Sequence, residues 1–373
     1  MRIAVNTRLL IPGKIEGLGR FTCESLKHIT RSHPEHEFIF IFDRKYSDEF
    51  IFSDNIIPVV AHPQARHPVL WYLFFEWGIP HILKKHKADI FLSPDGWLSL
   101  RSHIPSVAVI HDLNFFHEPA WVGALPGKYY SYFFPRFIQK ADRIATVSEF
   151  SKMDISDRFK VDPLKIDVVY NGVERKFHPV DEEIKYQIRL RHSEGFPYFL
   201  FLGLVHPRKN LTRIIGAYEE FRKSSAELVK LMVVGSTKYW TEDTRKAYEN
   251  SPYRTDILLK GRISETELND IIASSLSLVY ASLFEGFGIP ILEAMQCEIP
   301  VIASNTSSMP EVGGNAVCYV DPYSIESITK AMIKVNCDPE YRTTLIEKGR
   351  EQCKKYSWDL TADRLWKTIE KIL

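Results

Sequence analysis

The sequence predicts an α/β protein with two Rossmann-like domains, each built on a parallel sheet. Short apolar runs rich in β-branched and aromatic residues alternate with amphipathic segments, as in buried parallel strands joined by helices. These runs form two series separated by one polar stretch. A chain of 373 residues is also longer than a single hydrophobic core usually supports.

The order of the runs gives the predicted domain organisation. The first series is IAV (3–5), FIFIF (38–42), DIFL (89–92), SVAVI (106–110), RIATV (143–147) and IDVVY (166–170). The second series is YFLFLG (198–203), KLMVVG (230–235), DILLKG (256–261), LSLVY (276–280), IPVIAS (299–304) and AVCYV (316–320). The polar stretch 174–197 between them contains Pro179, Gly195 and Pro197, as linkers often do. We predict domains at 1–185 and 186–355, and a C-terminal helix at 356–373 that packs back towards the first domain.

Composition and charge exclude several classes of protein. A formal net charge of +1 does not favour a nucleic-acid partner, which normally requires a basic face. Five separated cysteines without a C-x-x-C pair favour free thiols and a cytoplasmic location. The N-terminus lacks the pattern of a signal peptide. The most apolar window, 69–83, contains Glu76 and Pro80 and is short for a membrane span, so we expect a partly buried helix.

The motif LFEGFGIPILEAM (283–295) follows a predicted strand and leads into a predicted helix. Gly286 and Gly288 allow a ligand to approach the backbone, and free N–H groups at a helix start attract phosphate or oxygen-rich groups. Glu285 and Glu293 could accept hydrogen bonds from hydroxyls at opposite ends of one extended ligand. The structural alternatives are an exposed turn for Glu285 and an ordinary first-turn glutamate for Glu293.

Basic residues occupy a second predicted strand-to-helix loop, in LGLVHPRKNLTRII (202–215). Arg208 and Lys209 could neutralise a pyrophosphate there and stabilise it as a leaving group. A solvated basic turn is the alternative.

Two further strand ends carry candidate residues. His111 and Asp112 directly follow SVAVI, where open sheets bind ligands, although a histidine satisfied inside a turn would look the same. Gly17 and Gly19 lie between the first strand and a helix, but the third glycine of a dinucleotide fingerprint is replaced by Thr22.

The stretch EGFGIPILE (285–293) resembles the E-G-F-G-x-P-x-x-E signature of retaining glycosyltransferases of family 4, and the resemblance extends over nearly the whole chain. It implies the GT-B fold, in which two Rossmann-like domains face each other across a cleft. It further implies that Glu285 and the backbone of Gly286, Phe287 and Gly288 hold the donor sugar, and that Glu293 holds the nucleotide ribose.

The same resemblance implies roles for other candidates. Arg208 and Lys209 match an R-K-N pattern that contacts the donor diphosphate, and His111 would lie beside the donor sugar and the acceptor. The implied catalytic residues are therefore His111, Arg208, Lys209 and Glu285. Further donor-binding candidates, taken from matching glycine-loop, cleft-lining and base-docking segments, are Gly17, Gly19, Ser148, Asn171 and Arg262.

The implied activity is transfer of a sugar from a nucleotide-diphosphate donor to a hydroxyl of a glycan or lipid-linked acceptor, with retention. The stretch VIHDLNFFHEPAW, with GLGRF upstream, looks like bacterial mannosyltransferases that use GDP-mannose in cell-surface polysaccharide and lipopolysaccharide assembly. Glucose, N-acetylglucosamine and rhamnose donors remain open. The resemblance implies front-face attack, with Glu285 as a covalent nucleophile the alternative.

No Asp-x-Asp follows a predicted strand and no His/Cys cluster has ligand spacing, so we expect no metal and no cofactor. A lipid-linked acceptor would bring the N-terminal domain to the inner membrane surface, where Lys84, Lys85 and Lys87 could assist. A solvated helix end is the alternative for these lysines. A nucleotide-sugar epimerase, a phosphorylase of the same architecture and a non-catalytic sugar-nucleotide-binding protein remain competing functions.

Overall fold

The computed structural model describes residues 1–15, 17–174 and 176–373, with the backbone alone at residue 265. The chain forms two compact units, Met1–Gly172 with Ser357–Leu373, and Val173–Tyr356. The boundary between the first and the second unit, at 172/173, lies before the predicted domain boundary at 185/186. The reason is the helix α7 (Glu182–Ser193), which occupies much of the expected linker and packs in the second unit. There Arg189 Nε donates to the carbonyl oxygen of Ser274 at 3.0 Å.

The first unit contains a seven-stranded parallel sheet in the order β3-β2-β1-β4-β5-β6-β7. New strands are added on opposite sides of β1, so β1 and β4 flank the topological switch point, where open α/β sheets bind ligands. The strands are β1 (Arg2–Asn6), β2 (Glu37–Phe42), β3 (Ile56–Val60), β4 (Ile90–Ser93), β5 (Ser106–Ile110), β6 (Arg143–Thr146) and β7 (Ile166–Val168).

One strand, β3, was not predicted from the sequence. Its sequence IIPVV contains Pro58, which has no N–H to donate to a sheet. The structure places β3 at the edge, where it pairs with β2 alone, and a proline is tolerated in that position.

The helices of the first unit are α1 (Leu18–Ser32), α2 (Pro68–Leu73), α3 (Ile79–Lys85), α4 (Asn114–His117), α5 (Ala124–Lys140), α6 (Glu149–Phe159) and the C-terminal α15 (Trp358–Glu370). A π-helical turn at Phe74–Gly78 joins α2 to α3, within the window predicted as one helix. The helix α15 is capped by Ser357, whose Oγ accepts a hydrogen bond from the Leu360 amide at 3.2 Å, and it packs against α1.

The second unit contains a six-stranded parallel sheet in the order β10-β9-β8-β11-β12-β13, so β8 and β11 flank its switch point. The strands are β8 (Tyr198–Leu202), β9 (Lys230–Val234), β10 (Ile257–Gly261), β11 (Ser277–Tyr280), β12 (Val301–Ser304) and β13 (Cys318–Val320). Beside α7, its helices are α8 (Leu211–Ser224), α9 (Glu242–Glu249), α10 (Glu265–Ala273), α11 (Ile289–Gln296), α12 (Met309–Gly313), α13 (Ile325–Cys337) and α14 (Pro339–Cys353).

Both sheets are covered on their two faces. Ile3, Val5, Phe199 and Val279 have no exposed surface, as expected for parallel strands inside helical layers. Each such side chain stabilises the fold by about 2 kcal/mol relative to its exposed state. All five cysteines are free, as predicted. Within the described residues, no helix has both the length and the apolar character that a membrane span requires.

Candidate active site

The switch point of the second sheet brings together three predicted residues. Arg208 and Lys209 lie in a short 3-10 turn after β8, and Glu285 lies in the loop after β11. The Oε2 atom of Glu285 is 2.5 Å from Arg208 Nη1, and its Oε1 atom is 2.6 Å from Lys209 Nζ. One carboxylate is therefore held between two cations.

Backbone contacts between the two loops fix this geometry. Asn210 adopts a left-handed conformation with φ of 62°, and its Nδ2 donates to the carbonyl oxygens of Ala281 at 2.9 Å and Pro322 at 2.7 Å. The amide of Leu283 donates to the carbonyl oxygen of Arg208 at 2.7 Å. The loops after β8 and β11 are thus joined independently of the charged side chains.

The environment of Glu285 keeps it ionised. Its side chain is only 7% exposed, and burial alone would raise its pKa, but the charges of Arg208 and Lys209 outweigh that effect and lower the pKa to about 2. At neutral pH the group is a carboxylate that can only accept hydrogen bonds. Sugar hydroxyls are suitable donors to such a group.

Tyr280, the last residue of β11, was missed as a site residue. Its hydroxyl accepts a hydrogen bond from Lys209 Nζ at 2.6 Å, and the same Nζ lies 4.4 Å from the centre of its ring. Burial and the charge of Glu285 raise the pKa of Tyr280 well above its ordinary value, so the phenol stays protonated. Its place at the carboxyl end of a predicted strand was the available signal.

The Gly-Phe-Gly segment turns the chain into α11. Gly288 precedes the helix with φ of 106°, a conformation that side-chain-bearing residues rarely adopt. The Phe287 ring is buried and packs edge-on against Tyr356, with 5.6 Å between ring centres, so only its backbone can face a ligand. Glu293 is half-buried on α11.

Two serines after β12 hold this loop in place, and the sequence reading missed them too. Ser307 Oγ accepts a hydrogen bond from the Glu285 amide at 3.1 Å. Ser308 Oγ lies 2.9 Å from the carbonyl oxygens of both Glu285 and Phe287, to which it donates. The polar run SNTSSMP after a predicted strand was the signal that could have identified them.

In the first unit, His111 directly follows β5, as predicted. Its Nε2 is 2.8 Å from the carbonyl oxygen of Pro94, and because a carbonyl only accepts, Nε2 carries the hydrogen and Nδ1 keeps the lone pair. Burial lowers the pKa of His111 to about 4, so the imidazole is neutral near pH 7.

The two N-terminal glycines have different environments. Gly17 precedes α1 with φ of 45°, and a Cβ added there would meet nothing within 4 Å among the described residues. Gly19 is buried in the first turn of α1, where a Cβ would come within 2.9 Å of the Leu9 carbonyl oxygen. A packing requirement therefore accounts for Gly19 without a ligand.

Of the remaining predicted donor-binding residues, Ser148 and Asn171 belong to the first unit and Arg262 to the second. Ser148 Oγ accepts from the Ser151 amide at 3.0 Å and so caps α6. Asn171 is 6% exposed, and its Oδ1 has no hydrogen-bond partner in the part of the chain that the structure describes. Arg262 is exposed and follows the edge strand β10. No group of three metal-ligating side chains occurs among the described residues.

Comparison with known proteins agrees with this architecture. Residues 182–352 match a family model described as Glycosyl transferases group 1, and residues 15–177 match one described as Glycosyltransferase Family 4. The chain is 25% identical over 357 residues to O-antigen chain mannosyltransferase B of Escherichia coli, covering 92% of this chain and 93% of that protein. It is 24% identical to O-antigen chain mannosyltransferase RfbU of Salmonella typhimurium, covering 77% and 76%.

The fold is also shared with solved structures. Sucrose-phosphate synthase from Thermosynechococcus elongatus matches with a TM-score of 0.79 at 16% identity, covering 99% of this chain and 98% of that chain. The match confirms the predicted GT-B fold class with its two Rossmann-like domains.

Proposed function

The chain belongs to glycosyltransferase family 4, and on that premise we propose that it is a retaining, metal-independent hexosyltransferase. The proposed reaction moves mannose from GDP-mannose to a hydroxyl of a glycan or lipid-linked acceptor in cell-surface polysaccharide synthesis. The observation that carries the proposal is the carboxylate of Glu285 set between Arg208 and Lys209 at a sheet switch point. The choice of mannose is supported by the two O-antigen mannosyltransferases to which the chain is similar.

In the proposed donor complex, residues of this site bind different parts of the nucleotide sugar. Arg208 and Lys209 bind the diphosphate, Glu285 accepts hydrogen bonds from sugar hydroxyls, and Glu293 binds the ribose. As the sugar departs, negative charge accumulates on the diphosphate, and the two preorganised cations stabilise it. In metal-dependent enzymes a metal ion supplies this stabilisation. The two fixed cations therefore support a reaction that needs no metal.

Retention is assigned to attack on the same face from which the diphosphate leaves, with the leaving phosphate accepting the acceptor's proton. Both oxygens of Glu285 are engaged by cations and its pKa is about 2, which makes it a weak nucleophile. This supports front-face attack over a covalent intermediate on Glu285. A neutral His111, with a pKa of about 4, suits a hydrogen bond to a hydroxyl better than removal of a proton at pH 7.

The proposal is tested by incubating the full chain with GDP-mannose, UDP-glucose, UDP-N-acetylglucosamine and dTDP-rhamnose, with and without a cell-envelope lipid extract. We expect GDP release from GDP-mannose only when acceptor is present, undiminished by EDTA, and a product with the donor's anomeric configuration by NMR. Epimerisation without acceptor, or phosphate-dependent release of a sugar phosphate, would instead identify an epimerase or a phosphorylase. Binding of a nucleotide sugar without turnover on any acceptor would favour a non-catalytic binding protein.

We also propose that the chain is cytoplasmic and that its first unit contacts the inner membrane surface. Val69, Tyr72 and Trp77 are 59%, 36% and 57% exposed on α2 and the π-helical turn. Lys84 and Lys85 end the adjoining α3. Exposed apolar side chains beside cations suit an anionic lipid interface.

Flotation with phospholipid vesicles tests the membrane contact. We expect binding to vesicles containing phosphatidylglycerol, weaker binding to phosphatidylcholine alone, and a severalfold loss with Trp77→Ser. The matched control is Tyr186→Ser, because Tyr186 is 55% exposed in the second unit. Equal flotation of parent and Trp77→Ser would contradict the proposed contact.

A further inference from the structure

The switch point of the first sheet holds a buried polar cluster that the reaction described above does not use. Asn6 and Ser93 end β1 and β4, and Arg8 and Asp95 lie just beyond them. Asp95 Oδ1 accepts from Asn6 Nδ2 at 2.8 Å and Ser93 Oγ at 3.0 Å. Its Oδ2 accepts from Arg8 Nε at 2.7 Å. Three side chains, from Asn6, Arg8 and Ser93, therefore donate to one carboxylate.

The guanidinium of Arg8 is held in place, but only one of its three nitrogens donates a hydrogen bond to a described residue. Its side chain is 10% exposed, and its central carbon lies 4.5 Å from the ring centre of Trp97 and 5.3 Å from that of Phe75. Asp95 engages Nε alone. Across residues 1–15, 17–174 and 176–373, no hydrogen-bond partner is found for the two terminal nitrogens. The two terminal nitrogens are therefore available to donate hydrogen bonds to a ligand.

The position of the cluster in the fold matches that of the charged cluster in the second unit. In each sheet the loop after the first strand supplies cationic side chains, and the loop after the neighbouring fourth strand supplies a carboxylate. Ligands of open α/β sheets bind at this point. Pro94, which accepts the hydrogen bond from His111, directly precedes Asp95, so the cluster adjoins a predicted catalytic residue.

We propose that Arg8 binds a phosphate group of the acceptor through its two terminal nitrogens. This inference rests on the proposed function and specifies its lipid-linked acceptor further, as one that carries a phosphate group. A planar guanidinium matches phosphate oxygens bidentately, whereas a lysine would act only as a point charge. The rings of Trp97 and Phe75 exclude water and so strengthen the attraction, and Asp95 orients the fork before the ligand arrives.

Binding measurements on full-length Arg8→Lys test this assignment without requiring turnover. Calorimetry would compare three probes: an alkyl diphosphate-linked mannoside, the matching alkyl mannoside without phosphate, and GDP. We expect the affinity for the diphosphate-linked probe to fall about tenfold or more, as for loss of a charge-assisted hydrogen bond, while the other two affinities stay unchanged. The matched control is Arg101→Lys, because Arg101 also stacks on a tryptophan, at 4.1 Å from the Trp77 ring centre, but is exposed.

Two results would overturn the assignment. If Arg8→Lys binds the diphosphate-linked probe as the parent does, Arg8 is a structural residue. A parallel loss of GDP affinity would show that the phosphate belongs to the donor. If Arg8→Lys unfolds, Arg8→Gln decides, because its amide can still donate to Asp95 but carries no charge for a phosphate, and it should weaken the same probe alone. If the parent binds the diphosphate-linked probe through Arg8 but transfers no sugar, the proposed function fails and the assignment stands.

Discussion

Glu285→Gln is expected to lower kcat for sugar transfer by about 10²- to 10³-fold while GDP binds at least as tightly as to the parent. The amide cannot accept hydrogen bonds from sugar hydroxyls as strongly as the carboxylate does. It also no longer competes with phosphate for Arg208 and Lys209, which hold Glu285 at 2.5 and 2.6 Å. Steady-state kinetics with GDP-mannose and calorimetry with GDP would measure the two effects separately.

The matched control for this substitution is Glu298→Gln. Glu298 also pairs with an arginine, Arg350, at 2.5 Å, but both side chains are partly exposed at the surface. Its replacement should change activity and stability little, because surface ion pairs contribute about 0–1 kcal/mol. A Glu285→Gln enzyme with parental kcat, or one that loses GDP affinity in step with kcat, would refute the assigned role.

Lys209→Met is expected to inactivate the enzyme and to lower the free energy of unfolding by about 3 kcal/mol, the lower end of the range for a broken buried ion pair. Lys209 and Glu285 have side chains only 9% and 7% exposed, so Glu285 would be left buried and, among the described residues, paired with Arg208 alone. Tyr280 would also lose the donor that lies 2.6 Å from its hydroxyl. Urea unfolding at pH 7 measures the loss.

The pH dependence of this loss follows from the sign of the Glu285 shift. Its folded pKa, about 2, lies below the ordinary value of 4.5, so Glu285 contributes stability above pH 4.5 and loses that contribution as the pH falls towards 2. Protonated Glu285 no longer needs Lys209. The stability difference between parent and Lys209→Met should therefore be largest above pH 4.5 and shrink towards pH 2.

Lys230→Met is the matched control for Lys209→Met. Lys230 is equally buried, at 3% exposure, and its Nζ lies 2.6 Å from Glu194, but Glu194 is 75% exposed and can be solvated when its partner is removed. Lys230 also begins β9, so it lies at the amino end of that strand, whereas the charged cluster lies at the carboxyl ends of β8 and β11. We expect a smaller loss of stability and full activity. Equal losses in the two variants would contradict the importance of the buried carboxylate.

Local pattern was sufficient to predict most of the fold. All twelve predicted apolar runs became strands, because continuous burial on both faces requires continuous apolar sequence. The strand that was not predicted, β3, contains Pro58 and is only partly buried, so its sequence carries a weak strand signal. The linker was predicted too long because α7 is polar on most of its surface, and polar composition alone does not distinguish an exposed helix from a loop.

The sequence by itself determined that Arg208, Lys209 and Glu285 would lie at the carboxyl ends of strands, since periodicity and glycine placement report local structure. Only the tertiary structure decided which strand ends meet. The adjacency of β8 with β11, and of β1 with β4, joins segments far apart in the chain, and it depends on long-range packing of the sheets. The first adjacency placed Lys209 on Glu285 and Tyr280, and the second placed Arg8 on Asp95. The adjacency of β11 with β12 placed Ser308 against the Glu285 loop, because strand order sets which side chains share a ligand site.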